Sequence, residues 1–171
     1  MVHSSVEQRH GFSYAEGLIT AVSFGGFLII LGIVFALTPG TWQAVTNFFN
    51  DLTLKAYPFG SPGSTISVLT PAHPDVHASF YNAVMGFCFG IGALQIIILI
   101  LRLIVHSHIG KISETIGNLV FWIGAAFSVD AFLLAGTLTG WFQFWAVLLL
   151  ILGVSLIARG LVYLFRRHPV K

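Results

Sequence analysis

The stretch from Phe80 to Val105, FYNAVMGFCFGIGALQIIILILRLIV, decides the fold, because its only charged side chain is Arg102. A helix crosses the hydrocarbon core of a bilayer with ~20 apolar residues. Only a helix or a closed barrel satisfies its own backbone there, and an unbroken run without alternation reads as a helix. Three more runs meet the same measure. They are Gly17 to Thr38, stopped by Pro39-Gly40, then Ile116 to Gly136, then Trp141 to Phe165.

The composition around these runs agrees. Of 171 residues, 56% are hydrophobic and 8% charged, against about 25% charged in soluble domains. So few charges cannot cover a water-facing surface. We read the chain as all-α: an integral membrane protein with four antiparallel transmembrane helices, an outer amphipathic interfacial helix and a loop cap. Disorder, a coiled coil and a nucleic-acid-binding domain are excluded. Residues 1–16 lack a basic n-region and a small-residue cleavage site, so the first apolar run is expected to be retained. The expected division is a cytoplasmic tail over 1–16, one transmembrane domain over 17–165 with its outer loop at 39–79, and a basic cytoplasmic tail over 166–171.

The placement of Lys and Arg gives the expected orientation. Arg9, Arg102, Lys111, Arg159, Arg166, Arg167 and Lys171 fall at one end of the four spans, and only Lys55 at the other. The basic end is expected to be cytoplasmic, in a multi-pass protein of the plasma membrane. Trp42, Tyr57, Tyr81 and Trp141 would form the outer aromatic belt, and Tyr14 and Tyr163 the inner one.

The outer loop is too long for a plain connection. Within it Trp42, Val45, Phe48, Phe49 and Leu52 recur at spacings of three and four, which predicts a helix over 41–54. Thr41 suits its N-cap. Its polar face, Gln43, Asn47, Asn50 and Asp51, is nearly uncharged, so the helix should lie on the interface or on the bundle. Residues 57–74 are rich in Pro, Gly and Ser and read as a structured cap or a flexible loop. The short turn at 137–140 makes the last two spans antiparallel neighbours.

Glycines recur seven apart as Gly25/Gly32, Gly117/Gly124 and Gly153/Gly160, with Gly86, Gly90 and Gly92 in the second span. Seven residues return to one helix face, and small residues let membrane helices approach closely. The plain reading is a compact bundle. The functional one is a glycine-lined pore or a dimer seam.

Few groups carry chemistry. Asp130 is the one charge well inside a span, roughly 120–140° away from the Gly117/Gly124 stripe at 100° per residue. It is either a proton or cation site or a hydrogen-bonded carboxyl that fixes its helix. Lys55, Gln143, Asn82, Tyr81 and His77 are its candidate partners. In the outer loop, His73, Asp75 and His77 alternate, and extended backbone would turn all three one way. Two imidazoles and a carboxylate suit Cu, Zn or Fe. The alternative is a solvated loop that caps the next helix. No cofactor is expected beyond Cu or Zn at this loop. At the inner side Glu16, Arg102, Glu114 and Arg159 lie near one depth and suggest an ion-pair layer. His10, His106 and His108 read as solvated.

Cys88 is the only cysteine, so an intrachain disulfide and thiol exchange are excluded. No His lies within a span to ligate haem, and no nucleotide-binding or Ser/His/Asp motif is present. The reading favoured is a non-catalytic accessory subunit of a larger membrane complex, of the respiratory or metal-dependent kind. Its partners would be the lipid bilayer, other membrane subunits or further copies of itself, and not nucleic acid. The alternative is a small oligomeric channel or transporter with Asp130 in its path. An outer-face metal-binding enzyme subunit is third.

Overall fold

A computed structural model describes residues 3–58 and 64–167. Residues 1–2, the middle of the loop between the first two spans, 59–63, and the last part of the basic tail, 168–171, lie outside the described residues. The fold is all-α, with a small hairpin added. Its elements are α1 (His3–Leu37), α2 (Thr41–Asn50), β1 (Leu52–Pro58), β2 (Thr65–Pro71), a 3₁₀ turn (Pro74–His77), α3 (Ala78–Ile104), α4 (Ile109–Ser128), a π-helical turn (Val129–Leu133) and α5 (Leu138–Arg167). Four segments are long and apolar enough to cross a membrane: Glu16–Leu37, Pro74–Ile104, Ile109–Leu133 and Leu138–Leu164. Bilayer contact follows from these spans.

The helices form an open row. α1 packs on α3, α3 on α4, and α4 on α5. The central pair is therefore covered on two sides and the flanking helices on one. In the apolar windows of α3 and α4, 28% and 33% of residues are buried, against 6% in α1 and in α5.

Three local features depart from the sequence reading, each for a physical reason. First, α1 begins at His3, so the polar segment before Gly17 continues the spanning helix. Nothing in 3–16 breaks a helix, since its one glycine, Gly11, costs only ~1 kcal/mol. Second, α2 ends at Asn50, four residues short of the expected Leu54. The chain turns at Asp51 into an antiparallel hairpin that pairs Leu54 with Leu69 and Tyr57 with Ile66. Thr, Ile and Val favour such strands. Pro58 and Pro71 stand at strand ends, where a missing N–H costs least. Third, the α4 segment underwinds before its end, and Leu134 N–H donates to the Val129 carbonyl at 3.1 Å. Such i to i+5 turns are single-turn insertions in an α-helix.

Two glycines hold the turns at the hairpin end. Gly40 has φ +74° and Gly136 φ +62°, the left-handed region that glycine enters without a steric penalty. At Gly136 a Cβ would also press on the Asp75 backbone, with Cα at 3.0 Å.

The seven-residue glycine pairs divide. Gly117 and Gly124 lie against α5, where a Cβ would meet the Ser155 carbonyl oxygen at 3.1 Å and Ile151 Cγ2 at 2.7 Å. Gly90 receives Ile30 of α1, with Cγ2 at 2.6 Å from such a Cβ. Gly25, Gly32, Gly86, Gly153 and Gly160 have nothing within 4 Å of a Cβ position among the described residues. On α1 the close approach is made by Gly26, under Leu94, which the spacing rule passed over.

Candidate functional site

Two polar constellations stand at opposite ends of the row. The first sits at the cap end, where α2 and the hairpin meet the start of α3. Phe48 anchors it. This side chain is 6% exposed, stacks on Phe80 with ring centroids 4.3 Å apart and meets His77, Tyr81 and Trp141 at 5.3–6.0 Å. Tyr81, Val129, Leu133, Trp141 and Phe144 complete the cluster. Only part of the predicted stripe is buried in this way. Trp42 and Phe49 are 69% and 61% exposed, because at 100° per residue they stand about 120° and 100° round the helix from Phe48.

Asp51 follows α2 directly, and its carboxylate is the centre of the cap. Oδ1 lies 2.8 Å from His73 Nδ1, and Oδ2 lies 2.9 Å from His77 Nε2. Oδ2 also accepts from the His73 backbone N–H at 2.8 Å. Burial pushes this carboxyl up, but the three hydrogen bonds outweigh it and hold the group far below the usual carboxylate range. A carboxylate at a helix C-terminus is disfavoured by the helix dipole, so the two imidazoles offset both burial and dipole. The result is a clamp that ties the end of α2 to the 3₁₀ turn.

The clamp takes in two of the three residues proposed for a metal. His73 and His77 converge, but on Asp51. Asp75, between them in sequence, is exposed on the far side of the turn beside Gly136. The turn is 3₁₀, not extended, so alternate residues do not share a side. Among the described residues no group of three His, Cys, Asp or Glu side chains is arranged to hold a metal ion.

The second constellation sits at the basic end. Lys111 Nζ donates to Glu16 Oε2 at 2.6 Å, and Ser107 Oγ donates to Oε1 at 2.8 Å. These bonds join α1 to the α3–α4 turn. Arg102 Nη1 donates to the Lys111 carbonyl and, at 2.6 Å, to Thr115 Oγ1. His108 Nδ1 accepts from the Gly110 N–H at 3.2 Å and caps α4. The four residues expected in one ion-pair layer are therefore split. Glu16 and Arg102 each bind the α4 segment, while Glu114 and Arg159 are exposed and make no ion pair among the described residues. The alkyl stem of Arg159 instead lies over Gly117, with Cβ 3.3 Å from where a Cβ would stand.

Asp130 falls inside the π-helical turn and is exposed. Its neighbours Val129 and Leu133 pack inward on Tyr81 and Trp141, which sets it at the level of the cap aromatics. It bonds to none of Lys55, Gln143, Asn82, Tyr81 or His77.

No family model, no curated protein and no solved structure matches this chain.

Sequence reasoning missed Asp51, Lys111, Ser107 and Thr115. The Asp51 bonds join residues 22 and 26 apart, and the Glu16 bonds residues 91 and 95 apart. No local spacing rule reaches that far. The one signal at hand was that Asp51 is the sole charge on the α2 face.

Proposed function

We propose that this chain is a non-catalytic accessory subunit of a larger membrane complex, docked through the outward faces of α1 and α5. One observation carries the reading. The flanking helices keep small-residue pairs, Gly25/Gly32 and Gly153/Gly160, with no described residue within 4 Å of where their Cβ atoms would stand. Helix association in lipid rests on close packing, and such faces are where a second helix packs closely. Asp130 supports the same reading. A carboxylate near hydrocarbon is costly without a partner, and a neighbouring subunit's donor would supply one. The cap end faces outward and both termini face the cytoplasm of a plasma membrane, on the seven-to-one division of Lys and Arg.

A second reading, an oligomeric channel or transporter, draws on the exposure of Asp130 in a π turn, a feature frequent at functional sites. One experiment separates the two. The tagged chain is purified from native membranes in a gentle detergent, as wild type and as Gly153→Leu. Other membrane proteins should copurify in fixed stoichiometry with the wild type, and the variant should lose them while its own melting temperature holds. A lone homo-oligomer that conducts cations in liposomes, and stops on Asp130→Asn, would replace the accessory reading with the channel.

A further inference from the structure

A cleft of about 340 Å³ opens between α1, α3 and α4 and runs from the basic end toward the middle of the spans. Its lining is graded. Arg102 and Glu114 stand at the basic end, Asn118 and Gln95 come next, and Phe27, Phe87 and Trp122 close the deep end. At 1.5 Å per residue, Asn118 lies about 6 Å above Glu114 and Gln95 about 10 Å above Arg102. The order is thus charge, then neutral amide, then aromatic ring.

The polar groups of this cleft are not consumed by the protein. Arg102 uses Nη1 alone, on Lys111 and Thr115, and its Nε is buried without a partner. Glu114 lines the same mouth without an ion pair among the described residues, and neither amide is hydrogen-bonded there. Two primary amides at membrane depth and a guanidinium engaged through one nitrogen cost free energy unless something polar meets their free groups. The walls beyond are apolar, so water alone does not match the whole cleft.

We propose that this cleft binds one phospholipid whose phosphate accepts from Arg102 and whose headgroup donates a hydrogen bond to Glu114. The glycerol-backbone oxygens then face the amide groups of Asn118 and Gln95, and the first carbons of one chain lie against the Phe27, Phe87 and Trp122 rings that close the deep end. The volume falls within the ~300–1,000 Å³ of small-molecule sites, enough for the head and glycerol region with the rest of the lipid left in the bilayer. The pairing sets a selectivity. Ethanolamine and glycerol heads carry N–H or O–H donors for Glu114, and the quaternary ammonium of choline carries none. The head lies in the leaflet of the basic end, whatever the chain assembles with.

The test uses the full chain in detergent, titrated with phosphatidylethanolamine, phosphatidylglycerol or phosphatidylcholine of matched chains and read by native mass spectrometry. One molecule of the first two should bind per chain, at least tenfold tighter than phosphatidylcholine. Glu114→Val should erase that preference by weakening the first two. Asn118→Leu should weaken all three lipids. Both residues are exposed and make no side-chain bond among the described residues, so these variants keep the fold. Arg102→Gln should abolish binding, and if it fails to fold the other two variants still decide. Equal affinity for the three lipids in the wild type would overturn the proposal. So would Glu114→Val retaining the preference, or diacylglycerol, which lacks the phosphate, binding as tightly as phosphatidylethanolamine.

Discussion

The two ends of the helix row are held by different physics. At the cap end, Phe48 and Tyr81 are buried among rings, and the Asp51 carboxylate is fully engaged by two imidazoles and a backbone N–H. At the basic end, the ties are a Glu16–Lys111 pair and the Arg102 bonds, and a cleft stays open beside them. The cap closes because α2 and the hairpin supply a lid of chain over the helix ends. The helix connection at the basic end is the four-residue turn from Val105 to His108, too short to form such a lid. Aromatic burial excludes water and sets the stability of one end. Long polar side chains fix the other while leaving part of their bonding capacity free.

The largest expected effect tests the aromatic side of this contrast. Phe48→Ala should destabilise the cap by about 3–5 kcal/mol, the usual cost of emptying a buried Phe site. Trp42→Ala and Phe49→Ala, at exposed positions, should stay within about 0.5 kcal/mol of wild type. Thermal unfolding in detergent reads all three. Similar losses for Phe48 and Phe49 would mean that the α2 stripe is buried as a whole, and the contrast between ends would no longer rest on one ring.

The Asp51 clamp comes next. Asp51→Ala strands the buried His77 and should cost about 2 kcal/mol, given ~1.5–3 kcal/mol for hydrogen bonds to charged groups. The pH dependence has a definite sign. The folded carboxyl titrates below its ordinary value of 3.8, so its contribution is complete above that value. It is lost as pH falls toward the folded value. Melting curves from pH 7 down to pH 2 should therefore show the wild type converging on Asp51→Ala at the acid end. Parallel curves throughout would remove the clamp from the stability of the cap.

The smallest effect belongs to the basic end. Lys111 is 47% exposed, so Glu16→Gln should cost no more than about 1 kcal/mol, shrinking further at high salt. A loss equal to that of Phe48→Ala, insensitive to salt, would make the two ends equivalent and break the comparison.

How much was legible follows the range of each interaction. Spans are a matter of local apolar length, so Phe80–Val105 and its three counterparts were readable from composition and run length. The stripe of α2 was visible as a period, but the period could not say which of its rings, Phe48, turns inward. His73 and His77 were singled out as a pair, with Asp75 as their carboxylate. The carboxylate they meet is Asp51, brought to them by a hairpin whose strands were hidden among Pro, Gly and Ser.

The sequence by itself determined the membrane class, the four helices, the existence of an interfacial helix and the asymmetry of positive charge. Each of these is a sum over neighbouring residues. The tertiary structure alone decided which glycines are covered, which carboxylate the histidines hold, and that Arg102, Glu114, Gln95 and Asn118 share one cleft. Those outcomes depend on the angular setting of one helix against another. That setting comes from side chains such as Ile30 on Gly90 and Leu94 on Gly26, and no single segment encodes it.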